Sequence, residues 1–277
     1  MMGRIGSAAV VGSLLLGTVF APVEAAERVE SIATRPGVTQ SYWLVEPADP
    51  PKAIAIMILG GDGQLRFDET GPTSQKNNFL MRIRGDMLRA GILLAYPDKP
   101  SDQGALDNFR SERRHAEDIE ALILALKRRA DLPAFVIGTS RGTVSAANAA
   151  ARLDPALIAG VMLTTTIFER TAGRVRLTSV HNVPLADIRV PVFVLHHRDD
   201  QCYITPVAGV PALLRALTLA PRKDSIILSG GKPAESEPCG ALAPHGFFGV
   251  QDQASRAMID WINSVLAQPQ SGSAKPN

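Results

Sequence analysis

One short segment of the sequence has the residue types and spacing of a nucleophile turn. Gly138, Ser140 and Gly142 form a Gly-x-Ser-x-Gly pattern between a predicted strand and a predicted helix. The motif needs this context, because a tight turn from strand to helix holds the serine hydroxyl clear of the backbone. We therefore predict that Ser140 is a catalytic nucleophile. An ordinary strand-to-helix turn with a capping serine is the alternative.

The base that such a serine requires is best supplied by His245. This histidine follows the last predicted strand, in a loop that leads into the final helix and can reach the strand ends. Of the other histidines, we expect His115 on the surface of a charged helix and His181 in a polar loop. We expect His196 and His197, which close a strand, to shape the site wall or the edge of the core.

The acid that orients the base should lie at the end of the penultimate strand. Asp200 is our choice and Asp199 the second choice, since either gives the chain order Ser, Asp, His of this architecture. Cys202 follows Asp200 by two residues and Cys239 precedes His245 by six. We predict a disulfide that ties the acid loop to the histidine loop. A bridge that merely stabilises two long loops, or two unpaired buried thiols, are the alternatives.

Acyl chemistry also needs donors for the oxyanion that develops on the substrate. We predict one donor in the backbone N–H of Arg141 and a second in that of Gly61 or Asp62, within the glycine run 60–63. A phosphate loop is disfavoured because no Lys-Ser/Thr follows the run. The side chains of Arg141 and Asp62 should flank the pocket. They could pair with each other, Arg141 could hold a substrate carboxylate, or it could anchor the turn to a neighbouring loop.

Composition and the N-terminus bound the class of protein. The 277 residues are 45% hydrophobic and 20% charged, with a formal net charge of +2, which excludes a disordered or collagen-like chain. The basic residues are scattered, which argues against a nucleic-acid partner. The N-terminus has the pattern of an export signal cleaved after Ala25. Arg4 supplies the positive charge, Ile5–Phe20 is uncharged, and Val23 and Ala25 are the small residues of the cleavage site. The uncharged run is too short to span a membrane.

Apolar β-rich runs alternate with amphipathic runs along the mature chain, as is typical of a parallel sheet flanked by helices. We expect one domain over residues 26–268 and a disordered tail over residues 269–277. The predicted strands are Val29–Thr34, Thr39–Glu46, Ala53–Leu59, Ile92–Tyr96, Ala134–Ile137, Leu157–Leu163, Val192–Leu195 and Ser225–Leu228. The predicted helices are Phe79–Arg89, Glu112–Arg129, an alanine-rich helix after Gly142, and Gln253–Ala267.

These motifs together resemble those of the α/β-hydrolase superfamily, over nearly all of residues 29–267. Residues 138–142 resemble its nucleophile elbow, 60–63 its oxyanion loop, 245–247 its histidine loop, and 196–200 its strand-end His-Gly-x-x-Asp, with His197 in place of glycine. The resemblance implies an eight-stranded, mostly parallel sheet with helices on both faces and the site at the carboxyl ends of the strands. It also implies that any cap lies within Thr166–Val190 and is small. The lipase-type His-Gly-Gly loop lacks its histidine, since Leu59 stands there.

The function expected from these residues is hydrolysis of an ester or related acyl substrate by an exported, periplasmic or secreted serine hydrolase. An acyltransferase or peptidase on the same scaffold stays open, because fold and triad do not fix the acceptor. A non-catalytic binding protein that retains the fold is a further alternative. We expect no cofactor. A metal site at residues 196–200 is disfavoured, because neighbouring strand residues point to opposite faces of the sheet. The sequence leaves the oligomeric state open.

Overall fold

The computed structural model describes residues 26–169, 171–172, 175–176 and 178–268. The predicted export signal, its cleavage position after Ala25 and the predicted tail 269–277 lie outside the described residues. Among the residues that are described, none of the helices has both the length and the apolar composition needed to cross a bilayer.

Eight strands form one sheet, as predicted. They are β1 (Glu27–Arg35), β2 (Val38–Val45), β3 (Ala53–Ile58), β4 (Ile92–Pro100), β5 (Ala134–Thr139), β6 (Gly160–Thr164), β7 (Val192–His197) and β8 (Lys223–Leu228). The spatial order is β1-β2-β4-β3-β5-β6-β7-β8. The pairs β1–β2 and β2–β4 are antiparallel, and the pairs from β4 to β8 are parallel. Strand β4 runs beyond its predicted end at Tyr96, because it continues to pair with β2 as far as Pro100.

Within the described residues, six α-helices accompany the sheet: α1 (Phe79–Arg82), α2 (Arg84–Arg89), α3 (Arg113–Arg129), α4 (Gly142–Arg152), α5 (Val210–Ala216) and α6 (Gln251–Leu266). The single helix predicted over 79–89 is divided at Ile83, whose backbone leaves the helical region at ψ 2°. Leu80 and Met87, on either side of the division, are both fully buried. Helix α5 was not predicted, because its seven residues are too short to show helical periodicity.

The sheet separates two apolar cores, which agrees with the prediction of helices on both of its faces. Alternate residues of β3 point to opposite faces. Ile54 and Ile56 pack with residues of α3 and α4, whereas Ala55 and Met57 pack with residues of α2 and α6. Because all six residues of β3 are buried, this central strand holds the start of the following loop in a fixed position.

The interval predicted to hold a small cap lies between β6 and β7. Its described part contains the paired two-residue strands Thr171–Ala172 and Val175–Arg176. It also contains two short 3-10 helices, Val180–Asn182 and Leu185–Asp187. The residues predicted to do chemistry lie elsewhere, in the segments that follow β3, β5, β7 and β8. Neighbouring parallel strands end at the same edge of a sheet, so the topology brings these four segments together.

Candidate functional site

Ser140 occupies a strained turn between β5 and α4. Its φ of +52° lies in the left-handed region, which a residue with a side chain adopts only when its surroundings impose it. The Ser140 N–H donates to the carbonyl of Thr164 over 3.0 Å. Its own carbonyl accepts from the N–H and the hydroxyl of Thr143, over 2.9 and 2.6 Å. Both ends of the turn are therefore held by hydrogen bonds.

The two glycines of the motif are required by close approach of the backbone. A Cβ at Gly138 would lie 2.3 Å from the carbonyl oxygen of Gly142, and a Cβ at Gly142 would lie 2.1 Å from that of Ile58. Neither backbone oxygen can move away without disturbing the sheet or the helix. The turn is thus packed directly against the end of β3, without side chains between them.

His245 and Asp200 are brought together, as predicted. His245 Nδ1 lies 3.1 Å from Asp200 Oδ2, and the Asp200 carboxylate is fully buried. The other candidate acid points away: the Asp199 side chain is 59% exposed, and its nearest contact to a basic group is 4.0 Å, to His197 Nδ1. The structure therefore pairs Asp200, and not Asp199, with the histidine.

Two further donors hold the Asp200 carboxylate. The backbone N–H of Cys202 donates to Oδ1 over 2.9 Å, and the hydroxyl of Thr205 donates to Oδ2 over 2.9 Å. The Thr205 hydroxyl also lies 3.3 Å from His245 Nδ1. Thr205 was missed by the sequence analysis, since a threonine five residues after an acid has no characteristic spacing.

The predicted disulfide between Cys202 and Cys239 is present. It joins the residue whose amide binds Asp200 to the segment that leads into the His245 turn. Cys239 and Ala241 also line the same cavity as His245. The bridge therefore fixes the acid segment relative to the histidine segment, and it forms part of the cavity wall.

Arg82 of α1 holds the other side of the histidine turn. Its guanidinium donates to the carbonyl of Asn77 over 2.6 Å, to that of Ala241 over 2.8 Å and to that of Gly246. Burial lowers the pKa of this guanidinium from its ordinary value. Arg82 thus binds backbone on both sides of His245 and was also missed from the sequence.

Ser140 and His245 open into one cavity of about 630 Å³, together with the loop residues Gly60, Gly61 and Asp62. Six further lining residues are polar, namely Gln64, Arg66, Ser74, Gln75, Asn77 and Asn78, and the apolar Phe79 lies beside them. Two of these wall residues, Arg66 and Gln75, have left-handed backbones, with φ of +49° and +56°. Conformations of this kind cluster at binding and catalytic sites.

Two of the three predicted oxyanion donors line this cavity. Gly61 and Asp62 both line it, and Arg141 stands at the N-terminus of α4, directly after Ser140. A Cβ at Gly60 would lie 2.9 Å from the Cβ of Ser140, so this loop passes as close to Ser140 as a backbone can. Among the hydrogen bonds within the described residues, none uses the backbone N–H of Gly61, Asp62 or Arg141.

The side chains of Arg141 and Asp62 do not pair with each other. Arg141 Nη1 lies 2.7 Å from Asp107 Oδ1, so it anchors the turn to a neighbouring loop, which was one of the open alternatives. The Asp62 carboxylate instead accepts from the N–H and the side-chain amide of Gln64, over 3.0 and 3.1 Å. Arg141 is absent from the cavity wall as described, whereas Arg66 is part of it.

The expectation that His115 lies on the surface is wrong. Its side chain is buried, with Nε2 2.9 Å from the hydroxyl of Ser145 on α4. Burial, together with the charges of Arg110 and Arg35, lowers the pKa of His115 to about 3. The ring is therefore neutral at physiological pH and belongs to the packing between α3 and α4.

His181, His196 and His197 are not among the described residues that line the cavity. His196 is fully buried and stacks on Phe168, and burial lowers the pKa of His196 to about 4. His197 Nε2 lies 3.0 Å from the carbonyl of Gly230, and its Nδ1 accepts from the N–H of Asp199. His196 and His197 are thus core residues at the end of β7. His181 is exposed and lies in the short 3-10 helix Val180–Asn182.

Comparison with solved structures identifies the fold. The chain is similar to an esterase of Pyrococcus furiosus, with a TM-score of 0.63 and 13% identity over 88% of this chain and 94% of that one. A soluble variant of the monoglyceride lipase of Saccharomyces cerevisiae, in complex with a substrate analogue, gives a TM-score of 0.61 and 12% identity over 92% and 100%.

A dienelactone hydrolase of Anabaena variabilis gives a TM-score of 0.60 and 15% identity over 87% of this chain and 98% of that one. No protein-family model matches the sequence, and no curated protein matches it. The chain therefore has the α/β-hydrolase fold, as the sequence resemblance predicted.

Proposed function

We propose that this protein is a serine hydrolase that cleaves carboxylic esters with Ser140, His245 and Asp200 as its catalytic triad. The observation that carries the proposal is the pairing of a buried Asp200 carboxylate with His245, which opens into the same cavity as the strained Ser140. Neighbours of the same fold include proteins named as an esterase and a monoglyceride lipase, which favours an ester substrate.

In the proposed reaction, His245 Nδ1–H donates to Asp200 Oδ2, so that Nε2 is free to accept the proton of the Ser140 hydroxyl. Ser140 Oγ attacks the ester carbonyl carbon and forms a tetrahedral oxyanion. The backbone N–H of Arg141 and that of Gly61 or Asp62 bind this oxyanion. His245 then gives its proton to the departing alcohol oxygen as the carbon–oxygen bond breaks.

The acyl group is thereby left on Ser140 Oγ as an ester. His245 next takes a proton from a water molecule, whose oxygen attacks the acyl carbon. Collapse of the second tetrahedral intermediate returns the proton to Ser140 and releases the carboxylic acid. An acyltransferase would differ only in replacing this water with another acceptor, and a peptidase in the leaving group. Both are secondary candidates.

Replacing Ser140 with alanine is expected to abolish ester turnover, because the acyl group then has no oxygen to bond with. We expect kcat for a p-nitrophenyl acetate substrate to fall by at least about 10⁴-fold. Labelling by a fluorophosphonate probe should disappear as well, with no loss of folded structure by circular dichroism.

The control is Ser225→Ala, on an exposed position of β8 away from the cavity. This variant should retain turnover and labelling. A wild-type protein that neither turns over esters nor reacts with the probe would contradict the proposal and favour a non-catalytic binding protein. Turnover that persists in Ser140→Ala would contradict the choice of nucleophile.

The two neighbouring aspartates offer a matched pair of variants. Asp200→Asn removes the acceptor for His245 Nδ1–H and favours the wrong tautomer, so we expect kcat to fall by about 10³- to 10⁴-fold, the order lost in serine proteases on the same change. Asp199→Asn changes an exposed carboxylate and should leave kcat within about twofold. Steady-state kinetics of both variants check this, and equal losses would refute the assignment of Asp200.

The amide side chains in the lining of the cavity indicate the kind of ester. Primary amides both donate and accept hydrogen bonds, as hydroxyl groups do, and four of the wall residues are Asn or Gln. Asn77 is exposed, and its side chain makes no hydrogen bond within the described residues. We infer that the preferred substrate carries a hydroxyl-rich group, such as a polyol or sugar, and not a long alkyl chain.

This preference predicts a higher kcat/KM for an acetylated sugar than for an n-alkyl acetate of similar size. Asn77→Leu should raise KM for the sugar acetate by about three- to tenfold, the value of one lost hydrogen bond, and leave KM for the alkyl acetate unchanged or lower. Asn263→Leu, at an exposed position of α6, is the control. An alkyl acetate that is the better substrate would reject the inference.

We further propose that the protein is exported. The signal pattern of residues 1–25 and a disulfide of the kind that persists in oxidising compartments both support this. N-terminal sequencing of the protein recovered from outside the cytoplasm should begin at Ala26, and thiol titration of the denatured, unreduced protein should find no free cysteine. Recovery of the protein only from inside the cell, with residues 1–25 still attached, would exclude export.

A further inference from the structure

Arg110 is a buried cation with unusual partners. It lies in the short 3-10 helix Asp107–Ser111 that precedes α3, and only 1% of its surface is exposed. Within the described residues, no carboxylate comes within 4.0 Å of its guanidinium nitrogens. Burial, and then the nearby charge of Arg141, lowers the pKa of Arg110 to about 9. A charge this deeply buried is costly unless it is hydrogen-bonded. Its Nε has no hydrogen-bond partner in the part of the chain that the structure describes, so the two terminal nitrogens make the contacts.

The partners of Arg110 are backbone carbonyls of the proposed oxyanion loop. Nη2 lies 3.2 Å from the carbonyl oxygen of Leu59 and 3.3 Å from those of Gly60 and Gly61. Nη1 donates to the hydroxyl of Ser145 over 2.8 Å, which fixes the guanidinium against α4. One side chain thus binds three consecutive peptide groups at the end of β3.

The direction of these carbonyls determines the direction of the amides. In a trans peptide the C=O of one residue and the N–H of the next point in opposite directions. Carbonyls of Gly60 and Gly61 that point toward Arg110 therefore turn the N–H groups of Gly61 and Asp62 away from it. The loop touches Ser140 at Gly60, and these two amide groups lie at the cavity without a protein acceptor among the described residues.

We infer that Arg110 is a positioning residue that holds the oxyanion loop in its donor conformation. Three carbonyls in a row do not point the same way in a strand, where they alternate. Glycines at 60, 61 and 63 leave the loop few side chains through which packing could hold it. The guanidinium supplies that restraint from the core side. This inference rests on the proposed function, because it assigns those amides to the oxyanion.

The test compares Arg110→Met with Arg110→Lys and with the control Arg128→Met, an exposed arginine of α3. Titration with a fluorophosphonate first counts the reactive sites, so that kcat is expressed per active site. A role limited to general stability would lower the number of sites but not kcat per site. Arg110→Lys keeps the charge and most of the volume, and so provides a second folded variant.

We expect Arg110→Met to lower kcat per site by about 10²- to 10³-fold with KM within about threefold, because the donors act on the transition state. Arg110→Lys should fall between that variant and the wild type, since an ammonium cannot reach all three carbonyls. Arg128→Met should match the wild type. If the wild type is active and both Arg110 variants have its kcat per site, the inference about Arg110 is wrong and the proposed function stands. If the wild type is inactive, both the proposed function and this inference are wrong.

Discussion

The site depends on three backbone segments that pack against one another without side chains between them. The end of β3, the turn at Ser140 and the start of α4 meet where added Cβ atoms at Gly142 and Gly60 would lie 2.1 Å from the Ile58 carbonyl oxygen and 2.9 Å from the Ser140 Cβ. Because β3 is buried throughout, it cannot yield to relieve strain in the turn. The left-handed conformation of Ser140 is therefore imposed by the core, and the same packing brings the loop after β3 next to the serine.

Asp200 and His245, the proposed acid and base, are held together by hydrogen bonds that satisfy a buried carboxylate. Removing Asp200 from water would be unfavourable if its oxygens lacked donors. The Cys202 amide, the Thr205 hydroxyl and the His245 ring surround it instead. Each of these bonds strengthens in surroundings of low polarity. The disulfide then keeps the residue that supplies the amide donor joined to the segment before His245, so acid and base cannot separate without distorting a covalent link.

The sequence could predict which residues converge at the strand ends, but not which residues meet where helices pack together. Ser140, Asp200 and His245 each follow a strand, and in a parallel sheet those positions converge. His115 was placed on the surface because its neighbours along α3 are charged. Its ring nevertheless faces Ser145 on α4, thirty residues away in sequence. The sequence pattern of neither helix indicates that His115 and Ser145 are in contact.

Arg82 and Arg110 show the same limit, since nothing in the sequence separates them from surface arginines. Each binds main-chain carbonyls instead of a carboxylate: Arg82 holds those of Ala241 and Gly246 on both sides of His245. Loops rich in glycine, such as those around positions 60 and 246, have few side chains that can pack against the core. Their backbone carbonyls are the remaining points of attachment, and the fork of an arginine can bind several at once. The two loops that carry the proposed oxyanion donors and the proposed base are therefore held from within the protein by arginines, while their opposite surface stays open to the cavity.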